Sequence, residues 1–254
     1  MPVPRIYTSE ELRQGAVIRL DRGAAKHLRV LRLKPGAAVI IFNGSGGHYM
    51  STVKDIRSDL VTLEIDQHVT HETESPLDII LAQGISRGER MDYTIQKSVE
   101  LGVTAIVPLL TERCGLKLAG ERATRRQLHW QGVVASACEQ CGRNRLPALY
   151  PVDSLHNWLT ELNDEAQDTD SSRKLPELKL VLDYRNSNTL SHYTRPSGPV
   201  ILLIGPEGGL TDDELEQAEQ AGFTRIRLGP RILRTETAGI AAICTLQSLW
   251  GDLL

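Results

Sequence analysis

Hydrophobic positions along the chain change rhythm near residue 76. Before it, short apolar stretches are separated by turn residues: AVIRL (16–20), AAVIIFN (37–43), HYMSTVKDI (48–56) and LVTLEIDQHV (60–69). This pattern predicts β-strands, and the NGSGG between the second and third supplies a hairpin turn. GAAKHLRVLRL (23–33) has helical spacing instead. Several short strands within residues 1–73 predict a small β-barrel, closed off by the linker-like THETESP (70–76).

From Leu77 onward, apolar runs alternate with longer amphipathic stretches. Strands are predicted at 77–85, 103–111, 178–184, 199–205 and 225–229, with helices at 87–102, 121–142, 153–163, 211–222 and 235–250. Gly102 and Gly142 stop the first two helices. Asp153 or Ser154 caps the third, Thr211 and Glu214 form a capping box for the fourth, and Thr235 is the expected cap of the fifth. The strands are continuous Val/Ile/Leu runs, which predicts a parallel sheet covered on both faces, an α/β domain over residues 76–254. The polar, acidic stretch 164–176 reads as a mobile surface loop.

Composition changes this picture in three ways. Aromatic residues make up only 4% of the 254, which argues against a nucleic-acid binder that works mainly by base stacking. The net charge of −3 hides two basic segments, 1–34 and 113–145, each with an excess of five positive charges. Such patches either hold a polyanion or are solvated surface, and charge alone leaves both readings open. Cys138 and Cys141 form a CxxC with no second pair or His at ligand spacing, so no metal site is expected and reduced thiols are. A redox pair is the weaker alternative. The N-terminus lacks an apolar signal core and no run is long enough to span a membrane, which predicts a cytoplasmic protein.

Candidate chemistry gathers at three strand ends, where an open parallel sheet binds its ligands. In VILLIGPEGGLTDDE, the strand runs into Gly205, Pro206, Glu207, Gly208 and Gly209 before a capped helix. Glycines there let backbone N–H groups approach a ligand. Neither a dinucleotide fingerprint nor a P-loop fits the spacing. IRLGPRILRTETAGIAA turns at Gly229 and offers Ile232 and Leu233 to an apolar ligand face, with Glu236 near the positive end of the final helix. LVLDYRNSNTL offers Asp183, Tyr184 and Arg185 beside polar turn residues.

Together, LLIGPEGGL and LGPRILRTETA resemble the signature of the SPOUT methyltransferases. SRGERMDYTIQKSVELGV, ERCGLKL, ACEQCGRNRLP, PRIY and HLRVLRLKPG extend the resemblance over nearly the whole chain. They are similar to the bacterial family that methylates N3 of a uridine in 16S ribosomal RNA, at the position conventionally numbered 1498. The resemblance implies a trefoil-knotted α/β domain after a PUA-like barrel, S-adenosylmethionine as cofactor, and a homodimer acting on the small ribosomal subunit. It places the cofactor loops at Leu182–Asp183, Ile204–Gly209 and Leu228–Leu233. The apolar final helix, with Ile240, Ile243, Cys244 and Leu246, suits a symmetric dimer.

Under that implication, Glu207 and Glu236 are candidate proton acceptors, while Arg231 and Arg234 stabilise the developing anion or grip phosphate. Arg5, Arg29 and Arg32 are the candidate RNA contacts. Two other functions remain open on sequence: a methyltransferase of the same superfamily with another RNA target, and a non-enzymatic RNA-binding ribosome-assembly factor.

Overall fold

A computed structural model of the chain describes residues 3–20, 22–116, 118–167 and 177–254. It falls into two units, Met1–Glu74 with Ala135–Leu146, and Ser75–Val134 with Pro147–Leu254.

The first unit holds β1 (Arg5–Tyr7), β2 (Val17–Leu20), α1 (Arg22–Val30), β3 (Ala38–Phe42), β4 (His48–Ile56) and β5 (Val61–Val69). The strands pair in the order β1-β3-β4-β5-β2, parallel for β1 with β3 and antiparallel elsewhere. Among the described residues no ladder joins β1 to β2, so the expected small barrel takes the form of an open five-stranded half-barrel. Two register shifts between β4 and β5 bend it. Ala25 and Leu28 of α1 pack with Ile6, Val39, Ile41, Val53 and Leu63 in its core. The helix ends at Val30, earlier than the spacing predicts. Arg32 takes the left-handed conformation (φ 57°) and the Leu33 N–H closes back on the Leu28 carbonyl, a helix-terminating turn.

Residues 135–146 belong to this unit through polar ties. The Tyr7 N–H donates to Glu139 (2.9 Å), Arg5 donates to the Asn144 side chain (2.7 Å), and buried Arg143 pairs with Glu74. Burial pushes the Glu139 carboxyl above its usual range, against the pull of the Tyr7 N–H, His27 and Arg5.

The second unit contains β6 (Ile79–Gly84), α2 (Glu89–Glu100), β7 (Ala105–Leu110), most of α3 (Glu121–Cys141), β8 (Ala148–Leu149), β9 (Asp153–Ser154) and α4 (Leu155–Gln167). It continues with β10 (Leu178–Leu182), β11 (Val200–Ile204), α5 (Asp212–Gln220), β12 (Thr224–Ile226) and α6 (Thr235–Trp250). Among the described residues its seven strands are all parallel, ordered β12-β10-β11-β6-β7-β8 with β9 also on β7. Every residue of β11 is buried because both faces are covered. Ile201 and Leu203 join Trp158, Leu159, Leu215 and Phe223 beneath α4 and α5. On the other face, Leu81 and Ile204 lie against Gly239 of α6. Each such aliphatic side chain contributes about 1.5–3 kcal/mol relative to exposure.

Helix ends follow the sequence in most places. Thr211 and Glu214 make the reciprocal capping box, Ser154 accepts the Asn157 N–H, and Gly102 and Gly142 take positive φ after α2 and α3. Two differences stand out. α4 runs on to Gln167, through residues expected in the loop, since Asp164 and its neighbours are polar without being helix-breaking. The rest of that expected loop, 168–176, lies outside the described residues. Thr235 is the first residue of α6 rather than its cap; Arg234 holds the cap position and makes no side-chain bond there. No described helix is long and apolar enough to cross a membrane.

Candidate active site

The carboxyl ends of β10, β11 and β12 open into a cleft of about 570 Å³. That is a typical size for a site that encloses a small ligand. Leu182, Asp183, Ile204, Gly205, Glu207, Gly208, Gly209, Leu228, Ile232 and Leu233 line it, as do Arg231, Arg234 and Glu236. Gly229 does not. With φ of 69° it turns the chain between Leu228 and Arg231 instead.

The Gly205–Gly209 turn is braced from four directions. Beneath it lies Gly84, the last residue of β6, where a Cβ would stand 2.6 Å from the Pro206 nitrogen and 2.9 Å from the Gly205 carbonyl carbon. Beside it, the Arg113 guanidinium donates to the carbonyls of Gly208 (3.1 Å) and Leu210 (3.4 Å). A Cβ on Gly208 would meet the Arg113 Cβ at 2.9 Å. Glu207 accepts from the Arg87 N–H and the Arg90 guanidinium, both at 2.9 Å. The Thr235 hydroxyl donates to the Gly205 carbonyl at 2.6 Å and itself accepts from Gln83 Nε2 at 2.9 Å.

These contacts separate the two candidate carboxylates. Burial raises the Glu207 carboxyl, but the hydrogen bonds from the Arg87 N–H, from its own N–H and from Arg90 outweigh it, and the group sits below the usual carboxylate range. Its Oε1 is committed to the Arg87 and Arg90 donors. Glu236 differs: its Oε2 is shielded from solvent and has no hydrogen-bond partner.

Asp183 is 6% exposed, and its carboxylate takes Arg185 Nε at 3.0 Å and Arg225 at 3.7 Å. Arg185 also reaches Asp212, and these two acidic partners hold it more firmly protonated. Tyr184 and Ile232, 58% and 73% exposed, stand at the cleft as apolar side chains without cover. Gln83, Gly84, Arg87, Arg90 and Arg113 carry no local sequence signal that names them as site residues. Their roles arise from strands and loops far apart in the chain.

The three candidate RNA contacts lie in the first unit and are unlike one another. Arg29 and Arg32 are exposed, and Arg22 and Lys26 share the α1 face with Arg29 at helical spacing. Arg5 is not free: it donates to Asn144 and to the Arg143 carbonyl, and lies 4.8 Å over the Phe42 ring. Desolvation lowers its pKa, against the pull of Cys141, Cys138 and Glu139. Its geometry is that of a structural clamp. Among the described residues no group of three His, Cys, Asp or Glu side chains is placed to hold a metal ion.

Comparison with known proteins gives this geometry a family. Residues 73–247 match the RNA methyltransferase domain and residues 20–66 the RNA methyltransferase PUA domain. The chain is 37% identical to ribosomal RNA small subunit methyltransferase E of Buchnera aphidicola, over 99% of this chain and 98% of that one. A solved ribosomal RNA small subunit methyltransferase E from Neisseria gonorrhoeae, bound to S-adenosyl methionine, is 41% identical with a TM-score of 0.87 over 99% of this chain and 100% of that one. A putative methyltransferase from Legionella pneumophila, in complex with the same cofactor, is 38% identical with a TM-score of 0.90 over the full length of both. The chain therefore belongs to the RNA methyltransferase domain family, alongside the ribosomal RNA small subunit methyltransferases E.

Proposed function

We propose that the cleft binds S-adenosylmethionine and that the chain methylates N3 of a uridine in 16S ribosomal RNA, at the position conventionally numbered 1498. The observation that carries this reading is the braced glycine turn at the end of β11, in a chain aligned end to end with relatives solved with that cofactor. The residues present fit the group. Gly205 and Gly208 leave no room for side chains, so backbone N–H groups border the cleft, and Leu182, Ile204, Leu228 and Leu233 offer apolar walls.

When bound, the cofactor supplies an electrophilic methyl group on a sulfonium. The chain must then hold the uracil in line with it, remove the weakly acidic N3 proton and exclude water. Glu236 is the better placed proton acceptor, because its Oε2 has no other partner while Glu207 is held in the turn. Arg231 and Arg234, exposed at the cleft, serve the developing uridinate charge or the flanking phosphates. Arg29 and Arg32, with the rest of the basic α1 face, hold RNA through phosphate contacts.

Two further parts of the reading concern the assembly and its setting. α6 keeps Ile240 and Cys244 half-buried and Leu249 52% exposed, which favours a homodimer with this helix in the interface. None of the four cysteines is joined in a disulfide, in keeping with the reducing cytoplasm.

The test is transfer of a labelled methyl group from S-adenosylmethionine to small subunits lacking the modification, with cofactor binding followed by calorimetry. Label in 16S RNA is the expected result. RNA binding without cofactor binding would instead make the chain a non-enzymatic assembly factor.

A further inference from the structure

We infer that Gln83, a residue outside the cleft, is a positioning residue for methyl transfer. It acts through the Thr235 hydroxyl to set the first turn of α6 and with it the Glu236 carboxylate. The inference rests on the proposed methyl transfer and the role given there to Glu236, and the experiment below distinguishes its failure from failure of that function.

Gln83 lies near the end of β6, paired with Ile204 and Pro108 on the neighbouring strands, and is completely buried. It follows Ile79, Ile80, Leu81 and Ala82, in a strand whose other side chains are apolar. Its amide has two N–H donors, and Nε2 contacts two oxygens: the Gly84 carbonyl at 3.0 Å and the Thr235 Oγ1 at 2.9 Å. A flipped amide would press Oε1 against the Gly84 carbonyl oxygen, so the network itself fixes the orientation. Thr235 must accept from Gln83, and its only hydrogen is then committed to the Gly205 carbonyl, 2.6 Å away. The chain of donors runs one way, from Gln83 to Thr235 to Gly205.

The consequence is mechanical. α6 begins without a side-chain cap, because Arg234 at the cap position makes no such bond. What holds its first turn to the end of β11 is the Thr235 tether, and Gln83 sets the orientation of that tether. Glu236 is the next residue, so its carboxylate inherits the position of this turn. An amide chosen only to fill space would be a poor choice here, since Gln83 Oε1 is itself buried with no partner. Methionine would fill similar volume without an unsatisfied oxygen. The turn around Gly205 has independent braces in Gly84, Arg113 and Arg90, so its cofactor-facing backbone does not depend on this tether alone.

The experiment compares wild type, Gln83→Met, Thr235→Val, Thr235→Ser and the Gln83→Met/Thr235→Val double variant. For each, kcat with small subunits, the S-adenosylmethionine Kd and the thermal midpoint are measured. We expect Gln83→Met and Thr235→Val each to lower kcat at least 10-fold while the Kd moves less than 3-fold. The double variant should be no worse than the poorer single one, because the two residues act as one unit. Thr235→Ser, which keeps the hydroxyl, should restore kcat to within 3-fold of wild type. A purely structural role would lower the thermal midpoint without this split between kcat and Kd. Wild-type kcat in both single variants, or losses that multiply in the double, overturns the inference. Should the wild-type protein itself transfer no methyl group, the functional reading fails instead.

Discussion

Replacing Gly84 with alanine puts the support of the proposed cofactor turn to a quantitative test. The added Cβ would stand 2.6 Å from the Pro206 nitrogen and 2.7 Å from its Cδ, where ordinary contact begins at 3.4 Å. None of these atoms is the end of a flexible side chain, so the turn must move by about 0.8 Å or β6 must yield. Overpacking of this kind costs about 1–3 kcal/mol. If the turn relieves the strain by leaving its binding position, binding must restore it, and the same 1–3 kcal/mol appears as about 5- to 150-fold weaker affinity. Calorimetric titration with S-adenosylmethionine reads this directly. Gly132→Ala is the control, because that glycine lies exposed on α3 with nothing within 4 Å of its added Cβ. It should leave affinity unchanged and add about 0.5–1 kcal/mol of stability. A Gly84→Ala protein that binds the cofactor within 2-fold of wild type, with an unchanged thermal midpoint, would refute the argument.

Other substitutions divide roles that the sequence left joined. Glu236→Gln should lower kcat by about 10²- to 10⁴-fold with cofactor affinity within 3-fold, whereas Glu207→Gln, which keeps an acceptor for Arg87 and Arg90, should lose less than 10-fold; equal losses would return both carboxylates to candidacy. Because the Glu207 pKa is depressed on folding, its contribution to stability is present above the unfolded carboxylate range and lost as pH falls through the folded pKa. The thermal midpoints of wild type and Glu207→Gln should therefore converge on acidification, and a gap that widens contradicts the assignment. Arg29→Ala should weaken RNA binding and reduce the salt slope by about one, while Arg5→Ala should instead lower thermal stability, measured by filter binding and calorimetry respectively. Burial pushes the Cys138 thiol up to about 12, the Arg143 charge opposing it only in part, so this cysteine should resist alkylation at neutral pH until the protein unfolds. Rapid labelling of the native protein at Cys138 would revive a redox role.

The chain announces its second unit clearly. Continuous apolar runs such as Val200–Ile204 read as strands covered on both faces, and that is where they lie. Capping residues were equally legible where the cap is local, as at Thr211 and Glu214. Thr235 shows where such reading ends. Its position suits a cap, but its hydroxyl is taken by a carbonyl thirty residues earlier in the chain. Gln83 and Gly84 were hidden for the same reason, since their meaning comes from Thr235 and Pro206 on other elements. The three-residue β1 is too short to show a period, and only its pairing with β3 reveals it. Arg5 belongs to a basic segment by composition, yet Asn144 and Phe42 make it a half-buried structural tie.

The identity of the methylated nucleoside tests the central claim most directly. Small subunits lacking the modification would be incubated with the protein and S-adenosylmethionine, and the 16S RNA digested and resolved by nucleoside mass spectrometry. The account predicts 3-methyluridine, confined to the fragment that contains position 1498, and its disappearance with Glu236→Gln. A methylated ribose, a different base, or 3-methyluridine elsewhere in the RNA would contradict it.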